Sequence, residues 1–347
     1  MLEHLNPTPQ KPSRVVVLGA YGFVGGTCAR LLAARGVPVL PLDKDDIDLM
    51  ASGAAEELQT RLAPDDAILV VSARAPCKDT GMMVDNIRIM HAVCMALERS
   101  SVNHVVYFSS DAVYSDAPVP LTEESRTEPG SMHGTMHLAR ELMLKATVKA
   151  PFAVVRSTLI YGEGDPHNGY GPNRFRRLAA AGQEIVLFGE GEERRDHVLV
   201  DDVAEIVCRV IEHRSRGTLN IATGEVYSFR DIAERVAAMA KPVVAVARDA
   251  AAGRDAARRL PTVRHRGLPP RFSGFPLYVA RRRLEPGARR RAAKCMTPVH
   301  QWAVFSRLRS GGKFIGIDWF SSVHQDATRG DALDPHTRIN LPTSSLR

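Results

Sequence analysis

The sequence lacks long apolar runs, since no stretch approaches the roughly 18 consecutive apolar residues that a membrane-spanning helix needs. Its N-terminus also lacks the apolar segment of a secretory signal. Cysteine is sparse, with five residues scattered through 347 and none in CxxC spacing, which argues against a disulfide framework. Reduced thiols are typical of the cytoplasm, so the sequence predicts a cytoplasmic protein.

Acidic side chains are scarce in the last third of the chain. Residues 1–240 hold 32 acidic and 25 basic residues, a net charge of −7. Residues 241–347 hold 7 acidic and 21 basic residues, a net charge of +14, so the total of +7 comes from the last third alone. A nucleic-acid binder with a uniformly basic surface would not divide in this way. Residues 248–347 are rich in Arg, Ala, Gly and Pro without sustained periodicity, which predicts an atypical, partly disordered basic region.

Short apolar runs alternate with helical patterns from residue 14 onward. RVVVLG (14–19) is typical of a buried parallel strand, and the following FVGGTCARLLAARG is typical of a helix. This alternation predicts an α/β fold with a Rossmann-type doubly wound parallel sheet. We predict the following division: a disordered leader (1–13), the Rossmann domain (14–160), a smaller α/β substrate-binding part (161–247) and the basic C-terminal region (248–347).

The stretch GAYGFVGG places Gly19, Gly22 and Gly25 between the first strand and the first helix. Glycines there permit a tight turn and let the backbone approach a pyrophosphate, while the helix N-terminus offers free N–H groups. Asp43 ends the second strand, where a carboxylate accepts hydrogen bonds from the adenosine ribose and repels a 2′-phosphate. The pattern therefore predicts NAD rather than NADP, with a simple strand–turn–helix junction as the alternative.

With these motifs, residues 14–245 resemble the extended short-chain dehydrogenase/reductase family, the NAD-dependent sugar-nucleotide epimerases and dehydratases. FSSDAVYS (108–115), GPNRF (171–175) and RRDHVLVDDVA (194–204) carry the resemblance further. It implies hydride transfer at a sugar carbinol carbon and a homodimer formed by helices near 86–98 and 133–147. The implied cofactor contacts are Gly19, Tyr21, Gly22, Phe23, Val24, Gly25, Asp43, Asp46, Ile47, Ser72, Ala73, Arg74, Asn86 and Ser157.

The family resemblance also implies catalytic positions. The serine four residues before the Tyr of FSSDAVYS maps to Ser110, and HGTMHLARE (133–141) aligns with the family's YGxxKxxxE. His133 therefore replaces the catalytic Tyr and His137 the Lys, one helical turn apart on the same face. Imidazole, with a pKa of about 6.5, can exchange protons near neutral pH. Substrate contacts are implied for Asp111, Asn173 and Arg195.

Three interpretations of the His133/His137 pair stay open: altered but retained chemistry, a weakened or inactive NAD-binding or regulatory protein, and metal binding. Two histidines one turn apart suit a metal, but no HExxH motif or third ligand accompanies them, so we predict no metal site. His137 cannot supply the fixed charge of a lysine, although it can hydrogen-bond a ribose. Ala112 stands where a dehydratase would carry Glu after Asp111, which favours epimerisation or oxidoreduction over dehydration.

Overall fold

The computed structural model describes residues 2–115 and 121–249, which form strands and helices in alternation. The strands are β1 (Arg14–Leu18), β2 (Val39–Leu42), β3 (Asp66–Val70), β4 (His104–Ser110), β5 (Phe152–Ser157), β6 (Leu159–Tyr161), β7 (Ile185–Phe188), β8 (Arg194–Leu199), β9 (Gly217–Ile221), β10 (Val226–Ser228) and β11 (Val246–Asp249). The helices are α1 (Phe23–Ala34), α2 (Ala54–Arg61), α3 (Thr80–Glu98), α4 (Met132–Thr147), α5 (Pro172–Ala180), α6 (Val200–Glu212) and α7 (Phe229–Met239).

The main sheet has six strands in the order β2-β1-β3-β4-β5-β9, and every neighbouring pair is parallel. The chain moves outward from β1 to β2 and then returns to place β3 on the other side of β1. This reversal opens a crevice at the carboxyl ends of β1 and β3, where folds of this type bind ligands. The predicted doubly wound parallel sheet is confirmed.

Both faces of the main sheet are covered. Val15 and Val17 pack with α1 and α6, whereas Val16 and Leu18 pack with α2, α3 and α4. Alternate residues of a strand point to opposite faces, so a strand buried on both sides must be apolar at every position. The unbroken VVVL run of β1 meets this requirement.

Two local features differ from the sequence-based expectation. FAVVRSTLIY (152–161) suggests one strand, but β5 ends at Ser157 in the main sheet and β6 pairs instead with β8 in a separate three-stranded sheet. The hydrogen bond from Thr158 N to Ile221 O holds the chain where it leaves the main sheet. The short helix α2 follows Gly53, whose φ of 81° ends the preceding turn; no sequence pattern singled it out.

The N-terminal segment, for which the sequence predicts disorder, makes regular contacts in its described part. Glu3 and Arg216 exchange two backbone hydrogen bonds of 2.8 Å, and Gln10 N donates to Glu212 O at 2.9 Å. His4 Nδ1 lies 2.8 Å from Ser215 Oγ. These bonds tie the segment to the end of α6 and the start of β9, so the leader is not free in this structure.

The predicted basic region at 248–347 lies outside the described residues, apart from Arg248 and Asp249 at the end of β11. Within the described part of the chain, no helix is both long and apolar enough to cross a membrane. The four cysteines described there are unpaired and buried.

Candidate active site

A cavity of about 1030 Å³ opens at the carboxyl ends of β1, β3, β4 and β5. It begins at the glycine loop after β1, passes the ends of β3 and β4, and reaches the smaller sheet. Ser110, His133 and His137 line its middle, and Arg195 lines its far end. Residues far apart in sequence therefore share one continuous space.

The glycine loop has the close backbone approaches that the sequence predicts. A Cβ on Gly25 would lie 2.1 Å from Gly19 O, and a Cβ on Gly19, whose φ is +89°, would lie 2.8 Å from Ser72 N. Helix α1 has no side-chain cap at Gly22, so its first N–H groups are left for a ligand. Gly19, Gly22, Phe23 and Val24 line the cavity.

This end of the cavity fits a dinucleotide pyrophosphate. Only a backbone without side chains can pass so close to the end of β3, and an uncapped helix N-terminus attracts phosphate oxygens. Ser72 Oγ is buried there without a hydrogen-bond partner, which leaves a hydroxyl for a ligand. Tyr21, which the family resemblance also assigns to the cofactor, is 70% exposed and does not line the cavity.

Asp43 and Ile47 line the cavity beside β2, but Asp46 does not. The Asp46 carboxylate turns back and accepts a hydrogen bond of 2.9 Å from Asp43 N. The Asp43 carboxylate in turn accepts from Lys44 N at 2.6 Å. The structure thus brings Asp43 and Ile47 to the predicted adenosine end and gives Asp46 the role of holding the turn.

Ser72, Ala73 and Arg74 line the cavity after β3, whereas Asn86 supports them from outside it. Asn86 is fully buried; its Oδ1 accepts from Arg74 N, and its Nδ2 donates to Arg74 O, both at 2.9 Å. A side-chain amide carries both an acceptor oxygen and donor N–H groups, so it can hydrogen-bond the N–H and the C=O of one residue at the same time. Asn86 therefore shapes the loop rather than facing a ligand.

His133 and His137 lie side by side on α4. Their ring centroids are 4.7 Å apart and their planes stand at 88°. His133 Nδ1 accepts a long hydrogen bond of 3.4 Å from Cys77 N, and His137 Nδ1 lies 2.8 Å from the hydroxyl of Tyr107. The helix begins at the N-cap Ser131, whose side chain accepts from Gly134 N, so the pair is fixed on its first two turns.

The surroundings of both imidazoles disfavour their charged forms. Burial lowers the pKa of His133. Burial also lowers the pKa of His137 to well below its ordinary value, and the neighbouring His133 and Arg140 lower it further. A buried imidazolium loses its hydration and is repelled by nearby positive charge. Neither histidine can therefore supply the fixed charge of a lysine.

Ser110 ends β4 and Asp111 follows it, and both line the cavity, as does Arg195. Ser110 Oγ accepts from Ala112 N at 3.1 Å and lies 3.3 Å from Asp111 Oδ1. Burial raises the pKa of Asp111 to about 6, against the lowering effects of Arg195 and the Ser110 hydrogen bond. This carboxyl group is poised to bind or release a proton just below neutral pH.

Arg195 and Ser157 line the cavity, whereas Asn173 does not. Arg195 Nε donates to Glu193 at 2.8 Å. Asn173 is buried; its Oδ1 accepts from Gly162 N, and its Nδ2 donates to Asp165 at 2.9 Å. It lines a neighbouring chamber of about 240 Å³, which His133 also lines.

Several cavity residues carry no recognisable sequence signal. They come from loops of the smaller sheet, where spacing does not reveal which side chains converge: Thr158, Asp165, His167, Tyr170, Glu193 and Phe229. Tyr170 stacks on Phe188 with centroids 4.3 Å apart, and its ring is edge-on to Phe175. These aromatic contacts form the apolar wall at the far end of the cavity.

No group of three or more His, Cys, Asp or Glu side chains within residues 2–115 and 121–249 is arranged to hold a metal ion.

Comparisons with known proteins agree with this geometry. The model of the NAD dependent epimerase/dehydratase family matches residues 15–222. A putative GDP-L-fucose synthase 2 from Oryza sativa subsp. japonica is 28% identical over 284 residues, covering 72% of this chain and 79% of that protein.

Solved structures share the fold at low identity. The UDP-glucose 4-epimerase of Thermus thermophilus in complex with NAD is 23% identical, with a TM-score of 0.61 over 69% of this chain and 88% of that one. The Thermotoga maritima UDP-glucose 4-epimerase with UDP-glucose is 18% identical, with a TM-score of 0.63 over 74% and 89%.

Proposed function

The chain belongs to the NAD dependent epimerase/dehydratase family, and we propose that it binds NAD and acts on a nucleotide-linked sugar as an epimerase or oxidoreductase. The observation that carries this proposal is the single cavity that joins the glycine loop, Ser110, the two histidines and Arg195. A cofactor on the glycine loop and a diphosphate near Arg195 would meet at the histidines.

Each group along the cavity has a role that follows from its position. When bound, NAD supplies the hydride acceptor and donor at its nicotinamide. The glycine loop holds the pyrophosphate, and Asp43 accepts hydrogen bonds from the adenosine ribose. Ser110 orients a sugar hydroxyl, His133 takes its proton and later returns it, and Arg195 binds the substrate diphosphate with the terminal nitrogens that Glu193 leaves free.

A second candidate is a protein that binds NAD with weakened or no turnover, and the Cys77 contact favours it. When His133 Nδ1 accepts from Cys77 N, the proton of the neutral ring resides on Nε2, which then has no lone pair to receive another. Proton uptake at Nε2 requires the proton to move to Nδ1, at the expense of the 3.4 Å bond. That bond is long and therefore weak, so the contact slows proton uptake rather than abolishing it, which corresponds to weakened turnover.

Turnover of sugar nucleotides by the purified full chain separates the two candidates. UDP-glucose and a GDP-linked hexose, each with NAD, are suitable probes. His133→Phe should lower the rate by about 10²-fold or more, the scale of a positioned acid–base group. The rate should fall as the pH drops below the His133 pKa, which burial places below its ordinary value. His213→Phe, at the end of α6 and away from the cavity lining, is the matched control and should leave the rate unchanged.

The double variant His133→Tyr with His137→Lys restores the family's pair. If the remaining cavity is competent, this variant should turn over at least as fast as the natural chain. Bound NAD with no turnover by either protein on any tested sugar nucleotide would contradict the enzymatic proposal and support the second candidate.

Two further parts of the proposal come from the sequence. We propose a homodimer through the exposed faces of α3 and α4, which carry Val84 and Leu142; light scattering at micromolar concentration would contradict it by giving the mass of one chain. A cytoplasmic location remains a prediction from the scattered cysteines.

A further inference from the structure

Arg140 is a buried cation without a carboxylate partner. It is 0% exposed on α4, and no carboxylate of residues 2–115 or 121–249 lies within ion-pair distance. The adjacent carboxylate, Glu141, is occupied by Arg156. Arg140 Nη2 donates to Ser72 O at 2.6 Å, its Nε has no partner, and its Cζ lies 5.3 Å from the ring centroid of Tyr107. A buried charge of this kind is unfavourable unless interactions with neighbouring groups compensate for its lost hydration.

Tyr107 connects this charge to the candidate active site. It is 1% exposed, and its hydroxyl makes a single hydrogen bond within the described residues, to His137 Nδ1 at 2.8 Å. His137 Nδ1 is thereby occupied, whereas His137 Nε2 stays accessible at the cavity wall. Which nitrogen carries the ring proton decides whether His137 donates or accepts a hydrogen bond there.

The satisfaction of buried hydrogen-bonding groups selects one arrangement. If His137 Nδ1–H donated to Tyr107, the hydroxyl proton of Tyr107 would be buried without an acceptor, which is strongly unfavourable. If Tyr107 O–H donates to Nδ1, both the hydroxyl proton and Nδ1 have a partner, and the ring proton resides on Nε2. The Arg140 cation over the ring makes the phenol a better donor and opposes a second proton on the imidazole.

We propose that Tyr107 and Arg140 are positioning residues that hold His137 as the neutral Nε2–H tautomer, so that Nε2–H donates a hydrogen bond into the cavity. Its acceptor is a hydroxyl oxygen of the bound cofactor, an identification that rests on the proposed function. Arg140 provides the fixed positive charge near this position that the replaced lysine would have carried. The donor therefore keeps its proton over a wide pH range, because it belongs to a neutral ring.

Nitrogen NMR of the full chain labelled with ¹⁵N-histidine tests the tautomer without turnover or cofactor. The chain has 12 histidines, so the His137 signal is assigned by its loss in His137→Gln. We expect Nε2–H and an unprotonated Nδ1 from pH 8 to pH 6. A His137 ring that carries its proton on Nδ1, or that is charged at pH 7, would overturn the proposal, whether or not the protein turns over a sugar nucleotide.

Two variants separate positioning from packing. Tyr107→Phe keeps the ring but removes the donor, so His137 should become a mixture of tautomers and the Kd for NAD should rise about fivefold to tenfold. Tyr114→Phe is the matched control: it also removes a buried hydroxyl, one that contacts Asn220 and Arg156, and should leave the His137 signal unchanged. An unchanged tautomer in Tyr107→Phe would contradict the role of Tyr107.

Arg140→Met removes the charge at similar volume and should raise the pH at which His137 takes up a second proton, visible in the same nitrogen signals. No change in that pH would contradict the role of Arg140. The natural chain alone already tests the tautomer if a variant fails to fold. No turnover together with an Nε2–H His137 would count against the proposed function and leave this inference intact.

Discussion

Glu141 matches the family's pattern on α4 but does not line the cavity, and its removal should be costly. Arg156 donates to both of its carboxylate oxygens, at 3.0 and 2.6 Å, and Ser109 Oγ donates at 2.5 Å. The side chains of Glu141 and Arg156 are each 8% exposed. Glu141→Ala therefore leaves a buried cation whose remaining hydrogen bond is to the Tyr114 hydroxyl.

Removing one partner of a buried ion pair destabilises a protein by about 3–5 kcal/mol, a large part of a typical total of about 5–15 kcal/mol. Glu141→Gln keeps one acceptor oxygen for Ser109 and Arg156 Nε but loses the charge and the second acceptor, which Arg156 Nη2 uses, so we expect an intermediate loss of about 1–3 kcal/mol. Glu57→Ala, in the exposed pair with Arg61, is the control and should cost about 1 kcal/mol or less.

Urea denaturation at pH 7, followed by far-ultraviolet circular dichroism, measures these free energies of unfolding. The double variant Glu141→Leu with Arg156→Met should recover most of the loss, because an apolar pair of similar size leaves no unpaired charge. A loss in Glu141→Ala no larger than that in Glu57→Ala would refute the reasoning. A double variant as unstable as Glu141→Ala would show that the unpaired charge of Arg156 is not what causes the loss.

Two further predictions concern the ends of β2 and β4. Asp43→Ala should weaken NAD binding about tenfold or more and relax the discrimination against NADP, since ribose hydrogen bonds and phosphate repulsion are both lost; fluorescence titration with each cofactor measures this, and unchanged affinities would remove Asp43 from the ribose. Burial raises the pKa of Asp111 from 3.8 to about 6, so the folded chain binds its proton more tightly than the unfolded chain. Stability should then fall by up to about 3 kcal/mol as the pH rises from 4 to 6, and Asp111→Asn should abolish that part of the fall in urea denaturation; identical pH profiles would contradict it.

Patterns confined to a few neighbouring residues determined the Rossmann-type part of the fold from the sequence alone. An unbroken apolar run such as the VVVL of RVVVLG is typical of a strand that is buried on both faces. The glycines after it are needed because the backbone passes so close to itself that a Cβ on Gly25 would lie 2.1 Å from Gly19 O. The family resemblance likewise predicts, from an alignment within one helix, that His133 and His137 stand at the positions of the family's Tyr and Lys.

Sequence spacing could not separate side chains that face the cavity from those that shape it. Asp46 and Asn86 occupy positions that the family resemblance assigns to the cofactor, yet the first holds the turn after β2 and the second holds the loop after β3. Each choice depends on backbone groups that come close only after the chain has folded.

Only the tertiary structure decided the proton state of the histidine pair. Tyr107 lies on β4 and His137 on α4, 30 positions apart, and a hydrogen bond joins them. The buried guanidinium of Arg140 lies over the Tyr107 ring. A pKa and a tautomer depend on desolvation and on the partner of each nitrogen, and these are properties of packing between elements. The sequence predicts which residues stand at the family's catalytic positions, and the fold determines the burial and the Nδ1 contacts of both histidines.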